Sequence, residues 1–82
     1  MTITTNGTNI TLETGTARIQ LRGTSGTRYG MDVTFSGDAY PTMNAHPRTV
    51  RAAVAIVRRA AMNRGDAPLL ELANALAARM GC

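Results

Sequence analysis

Apolar and polar positions alternate one by one through the first half of the chain and recur every three to four residues through the second. Ala17, Ile19 and Leu21 alternate strictly with Arg18, Gln20 and Arg22, the period of a half-buried strand. Arg28 to Ser36 alternates again, with Tyr29, Met31, Val33 and Phe35 on one face and Arg28, Asp32 and Thr34 on the other. Thr2 to Thr5 and Thr8 to Glu13 flank Asn6-Gly7, the dipeptide of a two-residue type I′ hairpin, and Ile10 and Leu12 share a face. Thr14-Gly15 and Gly23-Thr24-Ser25-Gly26 supply the remaining turns.

Residues 37–46, broken by Pro41, read as a loop. Pro47 suits the first turn of a helix, with Asn44 or His46 near its cap. Val50, Ala53, Val54, Val57 and Ala61 then form one helical face up to Gly65, and Asp66, as a cap, opens a second helix with Leu69, Leu72, Ala73, Leu76 and Met80 as its stripe before Gly81. The expected fold is α+β: an antiparallel meander of three to four strands over residues 2–36, covered on its apolar face by a hairpin of helices 47–63 and 67–80.

Composition sharpens that boundary. Eleven of the 12 threonines precede Ala45 and 11 of the 13 alanines lie from Ala45 onward; β-branched threonine suits a pleated surface and alanine a helix. Eighty-two residues make one domain of marginal stability, and a homodimer burying an edge strand or a helix face would add core. The opening Met1-Thr-Ile-Thr-Thr-Asn-Gly has neither a basic nor an apolar signal region, and no run is long enough to span a membrane. One cysteine, Cys82, is expected to be a free thiol at a frayed terminus, which fits a reducing cytoplasm.

Charge narrows the function. All nine basic residues are arginine, against five acids, for a net charge of +4; guanidinium is permanently charged and forked for carboxylate or phosphate, so an acidic protein surface or a nucleic acid is the expected partner. Arg48, Arg51, Arg58 and Arg59 fall within about a quarter turn of the first helix, opposite its Val and Ala face. No Asp or Glu occurs between His46 and Gly65, so the stripe is uncompensated, whereas surface helices ordinarily mix signs. Arg18, Arg22 and Arg28 form a second basic cluster on the outward sheet face. Tyr40 and Met43, residue types favoured at protein contacts, mark the loop as an interface, with one of the two packing back on the domain.

Catalytic chemistry is poorly supplied. Glu13, Asp32, Asp38, Asp66 and Glu71 are scattered over different elements, and no base or nucleophile is tied to the lone His46. Zinc needs several Cys or His ligands, and Gly23, Gly26 and Gly30 lie between strands rather than before a helix, so they make no phosphate loop. No enzyme, cofactor or metal site is expected.

Three strands and a helix with arginines on the sheet resemble in outline the sheet-reading DNA-binding modules of plant ethylene-response factors and phage-integrase arm domains, without their aromatic and basic residues at fixed sheet positions. A helix-turn-helix would need a better recognition helix than one with only Arg79 basic. In size and layout, as one small α+β domain with concentrated arginines and no catalytic set, the whole chain is similar to small phage-encoded inhibitors of bacterial defence, such as anti-CRISPR proteins; no motif carries a residue role across, and many such inhibitors are acidic where this chain is basic. The resemblance implies a non-enzymatic protein of the host-cell cytoplasm that blocks a larger acidic protein or ribonucleoprotein complex by stoichiometric binding. Two other readings stand beside it: a basic nucleic-acid-binding regulator, and an oligomeric virion or assembly protein using the first hairpin as an exposed edge.

Overall fold

The computed structural model describes residues 1–23 and 28–81. Five strands, β1 (Thr2–Asn6), β2 (Asn9–Thr14), β3 (Ala17–Arg22), β4 (Gly30–Thr34) and β5 (Met43–Ala45), form one antiparallel meander in sequence order, followed by helices α1 (Val50–Arg64) and α2 (Ala67–Met80). The α+β class and the sheet-then-helix order are as the patterning predicts, but the sheet has five strands rather than three or four. The added strand, β5, lies inside the stretch expected to be loop. Three residues carry no readable alternation; they are held in the sheet by register against β4, with Val33 opposite Met43 and Met31 opposite Ala45, and by Thr42 N donating to the Val33 carbonyl at 2.8 Å.

The first hairpin also turns one residue later than expected. Asn6 pairs with Asn9, so Gly7 and Thr8 are the turn residues, and only Gly7, at φ 63°, is left-handed. A positive φ at the first central position alone is the sign pattern of a type II′ turn, whereas type I′ requires it at both. Of the turn expected after β3, Thr24 to Gly26 lie outside the described residues, as does Cys82.

Strand alternation places Ala17, Ile19, Leu21, Met31 and Val33 on the buried face with Ile10, Leu12 and Phe35. Against them sit Ala53, Val54, Val57 and Ala61 of α1 and Leu69, Leu72, Ala73, Leu76 and Ala77 of α2. The helices pack on each other, and α2 lies across β2 and β3. β1 falls outside this cover: all five of its residues are exposed, and even Ile3, opposite the buried Leu12, is 39% accessible.

Helix α1 begins at Val50, three residues later than the proline signal suggests. Thr49 is its cap, the hydroxyl accepting from Ala52 N at 3.0 Å, so neither Asn44 nor His46 serves. Pro47 is buried instead in the preceding segment, its carbonyl accepting from Tyr29 N at 2.8 Å. Gly65 closes α1 in the left-handed conformation. Asp66 then caps α2, accepting from Leu69 N at 3.2 Å, and also receives Ser36 N at 2.8 Å and Ser36 Oγ at 2.7 Å. One carboxylate thus joins the helix hairpin to the chain leaving β4. Burial opposes its ionisation, yet the Ser36 and Leu69 hydrogen bonds, with the Arg64 charge nearby, hold its pKa below the ordinary carboxylate value. Arg64 also lies over the Phe35 ring, 4.3 Å from its centroid.

Candidate interface on the helix hairpin

The outer face of α1 follows from its inner one. Burying Ala53, Val54, Val57 and Ala61 leaves Arg51, Ala55, Arg58, Arg59 and Met62 exposed. At 100° per residue, Arg51, Ala55, Arg58 and Met62 fall on one narrow strip with Arg59 on its flank. Met62 is 70% accessible and shares the strip with exposed Ala55 and the arginines. It could have been found in the sequence from its eleven-residue offset from Arg51, which is three helical turns.

Arg58 is the oriented member of the group. Its Nε donates to Asn74 Oδ1 on α2 at 3.0 Å, which pins the guanidinium of this exposed residue across the hairpin. Among the described residues, no carboxylate forms an ion pair with Arg51, Arg58 or Arg59; the described pair is Arg22 with Asp32. The first turn of α1 holds no acid either. This strip is therefore a surface of aligned positive charge around an apolar centre, and methionine with arginine is a combination enriched in protein interfaces.

Arg48 does not belong to it. It precedes the Thr49 cap, and it lines a cavity at the other side of the helix end together with Arg28 and Arg79. The loop pair divides as well: Met43 is in β5 and packs against the core, while Tyr40 is 81% accessible. Its neighbour Thr42 donates its hydroxyl to Asp38 Oδ2, and Gly37 N donates to Thr16 Oγ1, tethering the loop at its base.

The sheet arginines also separate. Arg18 stands in register between Glu13 and Thr34, so its nearest cross-strand neighbour of charge is an acid. Arg22 donates to Asp32, its Nη1 to Oδ2, over Gly30, where a side chain would meet Arg22 Nη2 at 3.1 Å. The Arg22 hydrogen bond lowers the Asp32 pKa, against the opposing effect of burial. Arg28 lies outside β4 and donates Nη1 to the His46 carbonyl at 3.3 Å. The outer sheet face thus carries an ion pair, Arg22 with Asp32, whereas α1 holds no acid at all.

His46 is an exposed loop residue. Among the described residues no three His, Cys, Asp or Glu side chains group as metal ligands, and no helix is long and apolar enough to cross a membrane. No protein-family model matches the chain, and the searches of curated proteins and of solved structures give no match. The class defined by the fold and this surface is a small α+β domain presenting a basic helix face.

Proposed function

We propose that this chain is a non-enzymatic binding protein that docks the outer face of α1 onto an acidic surface of a larger protein or ribonucleoprotein complex. The observation that carries this reading is the strip Arg51, Arg58 and Arg59 around exposed Met62, without an acid on the helix. Like charges on one helix face repel, and a partner that supplies carboxylates or phosphates removes that repulsion while burying Met62. Arg58, already oriented by Asn74, loses less side-chain freedom on docking than a free arginine does. The overall likeness to phage-encoded inhibitors of bacterial defence makes a stoichiometric block of such a complex, in the host-cell cytoplasm, the function in keeping with these features.

The test compares the wild-type chain with Arg51→Glu/Arg58→Glu in affinity capture from host cells, with circular dichroism to establish that both fold. Wild type retains a defined complex in fixed stoichiometry and the variant loses it; equal retention by both removes α1 from the reading. A gel shift with random duplex and single strands separates a nucleic-acid regulator. Such a regulator would bind both strands at low salt, with log affinity falling about 0.9 per log unit of salt for each phosphate neutralised.

A further inference from the structure

A second basic feature lies away from the α1 strip. At the end of the molecule where the β1–β2 hairpin, the end of β3, the approach to α1 and the end of α2 meet, a cavity of about 660 Å³ opens to solvent, within the range of small-molecule sites. Its apolar wall includes Ile10 and Leu21, both buried, and Met80, which is 47% accessible. Tyr29, packed against the core, completes that wall. Arg28, Arg48 and Arg79 reach it from three separate segments of the chain, and among the described residues no carboxylate lines it.

Each arginine has a local reason to be where it is. The bond from Arg28 Nη1 to the His46 carbonyl holds its guanidinium beside the chain that carries Arg48. Arg48 is held just ahead of the Thr49 cap by buried Pro47. Arg79 lies in the last turn of α2, where a cation is favoured by the helix dipole. Dipole and cap account for the position of each residue on its own element, but not for three cations lining one concave surface that also has an apolar wall.

We infer that this cavity binds a small phosphate monoester, its phosphate held by Arg48 and Arg79 and its apolar body against Leu21, Tyr29 and Met80. A phosphate monoester carries about −1.5 to −2 at pH 7 with three acceptor oxygens, matching a pair of forked donors, whereas a single carboxylate brings one charge and two oxygens. The wall explains why the ligand is an ester rather than inorganic phosphate: inorganic phosphate has nothing to place against four apolar side chains.

Isothermal titration and amide chemical-shift mapping on the full chain, with inorganic phosphate, phenyl phosphate, AMP, UMP and adenosine as probes, test this. At least one ester should bind about tenfold or more tighter than both inorganic phosphate and adenosine, shifting the amides of Ile10, Leu21 and Tyr29. Arg48→Ala and Arg79→Ala, each checked for an unchanged thermal midpoint, should weaken that ester at least about fivefold, while Arg51→Ala leaves it unchanged. Esters binding no tighter than inorganic phosphate, or an equal loss in Arg51→Ala, would overturn the site. Neither result bears on partner capture by α1, which depends on Arg51 and Arg58.

Discussion

Replacing Asp66 tests whether one carboxylate fastens the helices to the sheet. Asp66→Ala removes the α2 cap, about 1 kcal/mol, together with two hydrogen bonds to Ser36, each about 0.5–1.5 kcal/mol and toward the lower end because Ser36 is exposed. The expected loss is about 2–3 kcal/mol out of a stability of about 4–12 kcal/mol for a chain of this length. That corresponds to a fall in thermal midpoint of about 10–20 °C. Asp66→Asn separates the parts, since asparagine caps a helix as well as aspartate does but its amide nitrogen cannot accept from Ser36 N; it should cost only about 1 kcal/mol. Urea denaturation followed by circular dichroism measures both, and a double-mutant cycle with Ser36→Ala measures the coupling. The pH dependence has a definite sign. Asp66 ionises more readily in the folded chain than in the unfolded one, so its contribution is complete above the ordinary carboxylate pKa of about 3.9 and fades as pH falls through the lower folded value. Asp66→Asn should therefore lose less stability than wild type on acidification below about pH 4. A loss under about 0.5 kcal/mol for Asp66→Ala, or strict additivity with Ser36→Ala, would refute the role given to this carboxylate.

Three further outcomes follow from the packing. Gly23→Ala places a Cβ 2.5 Å from Thr8 Cβ, so it should destabilise by about 1–3 kcal/mol through overpacking, and Thr8→Gly in the same chain should restore part of that in a urea melt. Leu72→Ala, at a site with 0% accessibility, should cost about 2–5 kcal/mol by the same assay, against a smaller loss for the half-buried Leu70→Ala. Ala55→Glu puts an acid within three or four residues of Arg51, Arg58 and Arg59 and should stabilise α1 by about 0.2–0.5 kcal/mol per pair formed. It should also abolish capture of the partner, so a stabilised variant that still captures its complex would argue against the strip.

The period of the apolar residues by itself determined most of this architecture, because strand and helix burial each repeat at a spacing that local sequence displays. Hence the inward sets of β3 and β4, the face of α1, that of α2 up to Leu76, the Asp66 cap and the Gly65 and Gly81 stops were legible, whereas Met80, read as part of the α2 stripe, is 47% exposed and Thr34, read as outward, is buried. Tertiary contacts decided the rest. β5 is too short to show a period and forms by pairing with β4 alone. Thr49 displaced the proline signal as the cap of α1, since Pro47 is used to join the helix approach to Tyr29. The arginines were legible as residues but not as sites: sequence spacing grouped Arg48 with the helix and Arg28 with the sheet, whereas chain folding brings both to a cavity with Arg79 from the far end of the chain. It also pairs Arg22 with Asp32 across strands and, among the described residues, leaves Arg51, Arg58 and Arg59 without an acid. A charge acts through its distance to other charges, and between separate elements only the folded chain sets that distance.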